Sequence, residues 1–161
     1  MNAPPPGIKI LDRDRVELDI GAKSLIEKIY ALKNKPLTED IIIFYNAVRY
    51  ALDDNMFYKN EDVKSARRLL KMGHKRANQL KTGKHPWTTA TGLIVRGYRS
   101  HLDDSVIPYG VDMPENFNPN RRGQLRLDIW LHGRNNILSE VRFLTERLKR
   151  LSQFRPPNTI I

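Results

Sequence analysis

The chain has 161 residues, of which 28 are Lys or Arg and 18 are Asp or Glu, so its formal net charge at pH 7 is +10. This length accommodates one ordinary domain, or a small helical module joined to part of a larger domain. Because the sequence has no cysteine, disulfide scaffolds, thiolate zinc sites and cysteine nucleophiles are excluded. The basic excess favours solubility and weak attraction to polyanions.

Residues 1–14 are predicted to form a flexible Pro-rich leader. The three prolines Pro4, Pro5 and Pro6 stand where a secretory signal would need a basic segment followed by unbroken apolar residues. Apolar runs elsewhere are short, such as Ile41–Tyr45, and a bilayer span needs about 20 residues. The sequence therefore predicts a soluble, cytoplasmic protein without a membrane partner.

Residues 15–84 are predicted to form a bundle of three amphipathic helices. The break at Asn34–Pro36 separates the first helix from the second, for which Thr38 is the predicted N-cap. The third helix is expected to begin at Asn60, where two acids follow in its first turn. Short connections imply an antiparallel arrangement. The apolar stripes of the three helices are Leu18, Ala22, Leu25, Ile29 and Leu32; Ile41, Phe44, Tyr45, Val48, Ala51 and Leu52; and Val63, Ala66, Leu70, Gly73, Ala77 and Leu80.

Near Thr82–Pro86 the pattern changes from helical to β character, and residues 85–161 are predicted to form a second unit. The stretch Thr88–Ser100 is rich in Thr and β-branched residues, and Val106–Pro114 contains a proline and a glycine typical of an edge strand. Together they predict a β-hairpin with Asp103 and Asp104 at its tip. Adjacent residues point apart, so these two acids are not expected to act as an acid/base pair.

A strand, a loop and a helix follow in order. Leu125, Leu127, Ile129 and Leu131 alternate with polar residues and Trp130, which predicts a buried strand with packed aromatic neighbours. After the His-Gly turn, Ser139 precedes a helical stripe of Val141, Leu144, Leu148 and Leu151, which Phe154–Pro157 is expected to stop. Residues 158–161 begin a further strand. A parallel return strand after a crossover helix is the α/β pattern, so the sheet is expected to be incomplete.

The segments PWTTATGLIVRGYRS, PYGVDMP, RLDIWLHGR and LSEVRFLTERL, followed by Thr159–Ile161, resemble the amino-terminal part of prolyl-oligopeptidase-like serine peptidases and esterases. The resemblance covers residues 36–161 and is best from Trp87 onward. It implies an α/β fold, in which a three-helix bundle precedes the first strands, the oxyanion loop and the first crossover helix of an α/β-hydrolase sheet. It also implies a peptide or ester substrate, for a full-length form only, and no cofactor.

The resemblance assigns the oxyanion loop to four residues, His132, Gly133, Arg134 and Asn135. In such hydrolases the loop after the third strand donates a backbone N–H to the tetrahedral oxyanion. Gly133 lacks a Cβ and so permits close backbone approach. The sequence departs from the family pattern at Asn135, where relatives usually have a second glycine, but asparagine tolerates left-handed dihedral angles better than most residues.

The nucleophile of this family is a serine within Gly-x-Ser-x-Gly, and the chain has no such motif. No catalytic residue is therefore assigned, and the chain is predicted to be inactive by itself, as an amino-terminal portion or a nonfunctional truncated product. Its unpaired sheet edge is expected to promote self-association. The serines outside the required context are Ser24, Ser65, Ser100, Ser105, Ser139 and Ser152.

The competing interpretation is a basic helical module that binds nucleic acid or a protein partner. The third helix has a cluster of basic residues, with Asn78 and Gln79 as its only amide side chains for reading bases. The four histidines have no metal-ligand spacing, so no metal site is predicted. The basic cluster comprises Lys64, Arg67, Arg68, Lys71, Lys75, Arg76, Lys81 and Lys84.

Overall fold

The structure, a computed structural model, describes residues 4–118, 120, 125–131, 133 and 135–161. Within these residues the fold is mixed α/β, with four α-helices, one short 3₁₀ helix and four strands. In chain order they are α1 (Asp12–Ala31), α2 (Glu39–Asp53), α3 (Asn60–Lys81), a 3₁₀ turn (Pro86–Thr88), β1 (Gly92–Arg99), β2 (Val106–Met113), β3 (Arg126–Leu127), α4 (Glu140–Arg147) and β4 (Thr159–Ile160).

The first three helices form the predicted bundle. In α1 the buried residues are Leu18, Ala22, Leu25 and Ile29, all members of the predicted stripe. Contacts of Arg49 and Leu52 with the first half of α1 show that α2 runs antiparallel to α1. A Cβ on Gly73 would lie only 2.7 Å from a methyl carbon of Leu25, so this glycine allows α1 and α3 to approach closely.

Helix α3 begins at Asn60 as predicted, whereas the starts of α1 and α2 differ in detail from the predictions. Helix α1 begins at Asp12, within the predicted leader, and the preceding Ile10 is buried. Thr38 is not a side-chain N-cap, because its hydroxyl donates back to the carbonyl oxygens of Leu32 and Lys35. At the start of α3, the Asp62 carboxylate instead accepts hydrogen bonds from two backbone N–H groups of the entering chain.

The predicted hairpin is confirmed. Strands β1 and β2 pair antiparallel from Gly92 opposite Met113 to Arg99 opposite Val106. At the tip, Asp103 accepts hydrogen bonds from the Ser105 backbone and hydroxyl, and Asp104 has a φ of 60°. These two acids are therefore turn residues.

The predicted return strand is also present. Strand β4 pairs parallel with β3, and α4 lies between them in the chain. Asp112 of β2 and Ile161, just after β4, exchange both backbone hydrogen bonds, which is the pattern of an antiparallel pair. Strands β1 and β2 thus form one two-stranded sheet, β3 and β4 form a second, and this backbone pair links the two sheets. Helix α4 ends at Arg147, however, and Leu151 is exposed rather than part of its buried stripe.

One hydrophobic core runs through the described residues. It joins the stripes of the bundle to Trp87, to Ile94 and Val95 of β1, and to Val141 and Leu144 of α4. Residues on both sides of the predicted boundary at 84 therefore share a core. None of the described helices has the length and apolar character needed to cross a bilayer.

Candidate functional site

The site predicted by resemblance lies between β3 and α4. His132 and Arg134 are outside the described residues. Gly133 is exposed, and a Cβ on it would meet no described atom within 4 Å. The Asn135 side-chain oxygen accepts a 3.0 Å hydrogen bond from the Ile137 N–H. Asn135 thus forms a local Asx turn toward α4.

The strand that enters this loop is not buried, contrary to the prediction. Leu127, at the end of β3, and Ile129 and Leu131, which follow it, are 65%, 81% and 87% exposed, because β3 pairs only with β4 and no described element covers this stretch. Trp130 is 59% exposed, and its ring lies against that of Phe154 in a tilted arrangement, with a centroid separation of 5.6 Å. The predicted strand from Leu125 to Leu131 therefore forms only at Arg126–Leu127, and its predicted burial is wrong.

The other end of the loop is firmly held. Arg142 of α4 donates to the carbonyl oxygen of Ile137 at 3.1 Å, and its Nε lies 3.3 Å from the Asp62 carboxylate at the start of α3. Both side chains of this ion pair are largely buried. The helical bundle therefore fixes the position of α4, and through it the exit of the loop.

The first turn of α4 contains a buried acid. One carboxylate oxygen of Glu140 is buried and has no hydrogen-bond partner among the described residues. The hydroxyl oxygen of the neighbouring Ser139 is also buried and also has no partner among them. Burial raises the pKa of Glu140 to about 7. Burial, and then the negative charge of Glu140, also raise the pKa of the nearby Tyr50 hydroxyl.

The pKa of Glu140 predicts a pH-dependent stability. Below pH 4.5, the ordinary pKa of glutamate, Glu140 is protonated in both the folded and the unfolded protein. Above about pH 7 it is ionised in both. The cost of burying its charge therefore develops as the pH rises between these two values. Glu140→Gln is expected to raise the unfolding free energy by about 2 kcal/mol more at pH 8 than at pH 4.5. Urea unfolding at the two pH values measures this difference. Glu146→Gln, on the same helix, is the control for the loss of a carboxylate.

A buried polar centre that the sequence did not indicate joins α2 to β1. The Asp40 carboxylate is 1% exposed and accepts hydrogen bonds from Trp87 Nε1 at 2.8 Å, from Arg96 Nε at 2.8 and 2.9 Å, and from the Gly97 N–H at 2.8 Å. Because its partners are 47 to 57 residues away in the chain, local sequence patterns cannot reveal them. In the sequence, Asp40 looks like an ordinary first-turn acid.

Arg76 completes this buried centre. Its guanidinium donates to the carbonyl oxygens of Asp40 and Val95 at 3.0 and 2.9 Å, and it lies 5.0 Å from the ring centres of both Phe44 and Trp87. Burial lowers the pKa of Arg76 to about 10, and the Asp40 charge opposes the shift. The guanidinium is still charged at pH 7, so the centre is a compensated ionic contact.

A second buried acid links the hairpin to the segment that follows α4. Asp112 of β2 is 4% exposed, and its carboxylate lies 3.0 Å from Arg155 Nε and accepts a 3.2 Å hydrogen bond from the Ser152 N–H. With the backbone pair to Ile161, these contacts hold β4 beside β2. The arrangement positions structural elements and brings no nucleophile and base together.

In the structure, the predicted basic cluster of α3 consists of two residues that are buried or paired and six that are exposed. Arg76 is buried, and Arg67 pairs with Asp14 and Glu17 of α1. The remaining six side chains are exposed.

Comparison with known proteins found no family model, no curated protein and no solved structure that matches this chain.

Proposed function

We propose that this chain is the amino-terminal part of a prolyl-oligopeptidase-like serine hydrolase, to which it contributes the oxyanion loop, and that it is inactive by itself. The observation that carries the proposal is the unit formed by β3, the following loop, α4 and β4, in which β4 is parallel to β3. A hairpin precedes this unit and is joined to it through Asp112 and Ile161.

The position of the loop is suitable for the proposed role. It leaves the carboxyl end of β3 and leads into a crossover helix, and ligands of α/β sheets bind beyond the carboxyl ends of the strands. In α/β hydrolases one oxyanion donor comes from the loop after the third strand. The order of elements in this chain, two antiparallel strands and then a third strand with its loop, supports the same assignment.

The exposed residues that follow β3 also support it. Ile129, Trp130 and Leu131 are consecutive, apolar and largely exposed. Such runs are typical of strands that are covered on both faces, as in the parallel sheets of α/β proteins. A further strand beside β3, with helices over its faces, would bury them. This is the environment that the rest of a hydrolase sheet provides.

In the proposed enzyme this chain supplies backbone and positioning, and the reacting groups come from elsewhere. The loop backbone would donate to the oxyanion, an interaction whose loss costs about 10²- to 10³-fold in rate in a measured protease. Arg142 and Asp62 would support the loop by holding α4. The nucleophile, base and acid lie outside these 161 residues, since no serine here stands in Gly-x-Ser-x-Gly.

The purified chain is expected to show no esterase activity. Because no serine has the required context, p-nitrophenyl acetate should be hydrolysed at the rate of heat-denatured protein, and a fluorophosphonate probe should label no serine. Turnover above that background, lost on replacing one serine with alanine, would contradict the inactivity.

The family assignment is tested by the gene. A reading frame that continues beyond codon 161 is expected to encode Gly-x-Ser-x-Gly between a strand and a helix, roughly a hundred residues on, followed by an acid and a histidine. A continuing frame without this motif would refute the hydrolase assignment, whatever the activity of the purified chain.

A further inference from the structure

The entire net charge of the protein resides in one segment. Residues 63–102 contain ten Lys and Arg and no Asp or Glu. The remaining residues of the chain carry 18 basic and 18 acidic side chains and are therefore neutral overall. The segment includes nearly all of α3 and the whole of β1. An excess so confined creates a local positive potential that a uniformly distributed charge would not.

Four of these ten cations have internal partners. Arg67 pairs with α1, Arg76 is buried, and Arg96 and Arg99 pair with Asp40 and Glu39 of α2. The other six are exposed, and none of them forms an ion pair within the described residues. They are Lys64, Arg68, Lys71, Lys75, Lys81 and Lys84.

These cations form a ridge on the outer face of α3. Lys64, Arg68, Lys71 and Lys75 are separated by steps of four, three and four residues, which places them on one helical stripe about 16 Å long. The next position of the stripe is Asn78, and there Lys28 of α1 donates a 3.0 Å hydrogen bond to the Asn78 side chain. The fold thus inserts a cation from another helix where the stripe itself lacks one.

Further cations lie at the end of α3, roughly a third of a turn around the helix from this stripe. Lys35, from the turn after α1, lies 3.3 Å from the carbonyl oxygens of Leu80 and Lys81. We define the basic ridge as Lys28, Lys35, Lys64, Arg68, Lys71, Lys75, Lys81 and Lys84. From Lys64 to Lys81 its axial length is about 26 Å.

We propose that the basic ridge binds the phosphate backbone of double-stranded nucleic acid without reading its sequence. A row of charges along a convex helix complements the regular phosphates of a duplex, and the major groove, about 12 Å wide, admits a helix. The exposed positions of α3 include no aromatic residue, so the stacking contacts that bind single strands are missing from this face.

The composition of the ridge explains the lack of sequence readout. Seven of its eight members are lysines, which act as point charges, whereas bidentate recognition of bases is favoured by arginine, asparagine and glutamine. Asn78, the amide on the stripe, is already bound to Lys28. This inference does not depend on the proposed hydrolase function.

The test compares two variants of equal charge by fluorescence anisotropy with a labelled 24-base-pair duplex of arbitrary sequence. The ridge variant is Arg68→Gln/Lys71→Gln/Lys75→Gln, and the control is Lys9→Gln/Lys149→Gln/Arg150→Gln, whose residues are exposed and off the ridge. Each loses two lysines and one arginine. Thermal melts establish that both are folded.

Wild-type protein should bind at about 50 mM salt, and log K should fall linearly with log salt. The ridge variant should lose roughly 10²- to 10³-fold in affinity at that salt, and its salt slope should be smaller by about 2.7, while the control changes both far less. Equal losses in the two variants, or no wild-type binding, would overturn the proposal. Equally tight binding of poly-glutamate would assign the ridge to an acidic protein partner, and tighter binding of a single strand would exclude the duplex.

Discussion

Asp40→Ala is expected to lower the free energy of unfolding by about 3–5 kcal/mol, because it removes one partner from a buried ionic centre. The Trp87 ring N–H and the Gly97 backbone N–H would lose their acceptor, and Arg96 and the buried Arg76 would lose the negative charge that compensates theirs. Urea unfolding at pH 7, followed by tryptophan fluorescence, measures the change, since Trp87 is part of the centre.

The neighbouring Glu39→Ala is the matched control. Glu39 is on the same first turn and pairs with Arg99 of β1 at 3.3 Å, but the Arg99 side chain is 45% exposed. Exposed pairs contribute little, so the expected loss is below about 1 kcal/mol. A similar small loss for both variants would show that the Asp40 centre does not stabilise the fold.

Gly97→Ala is expected to destabilise the protein by about 3 kcal/mol through steric overlap. A Cβ at this position would overlap the backbone carbonyl oxygen of Glu39 and lie 2.7 Å from Cγ2 of Ile43. Strand β1 and helix α2 are in contact here without an intervening side chain. To relieve the steric overlap, β1 and α2 would have to move apart, and this movement would also lengthen the hydrogen bond from the Gly97 N–H to Asp40.

The control is Gly133→Ala, the same chemical change where a Cβ meets no atom within 4 Å. We expect stability to change there by less than about 0.5 kcal/mol. Thermal or urea melts of the two variants separate steric overlap from a general effect of adding a methyl group. Equal melts would contradict the close packing of β1 on α2.

The sequence was a good guide to features that depend on local periodicity. The apolar spacing of Leu18, Ala22 and Leu25 predicted a helix face, and all three are fully buried. The hairpin tip at Asp103 followed from turn chemistry between two β-rich stretches. A parallel return strand after α4 followed from the strand, helix and strand order. In each case a short stretch of chain determines the feature.

Features that depend on distant partners were not predicted. Asp40 and Arg76 have the sequence environment of solvated helix residues, and only the packing of the hairpin on α2 makes them a buried centre. The alternation at Leu127 and Ile129 predicts extended backbone, but burial depends on what covers the strand. For the predicted site, Gly133 and Asn135 are described, and the oxyanion role stays a prediction.

The Asp40 centre has a consequence for the order in which the protein folds during synthesis. The ribosome releases the three helices before Trp87, Arg96 and Gly97 emerge, and until then Asp40 has none of these partners. A nascent bundle ending near residue 84 would contain Arg76 but none of these hydrogen-bond donors, so it would have to bury the Asp40 carboxylate without them or leave the first turn of α2 open. The emergence of β1 would therefore commit the helices to their final packing.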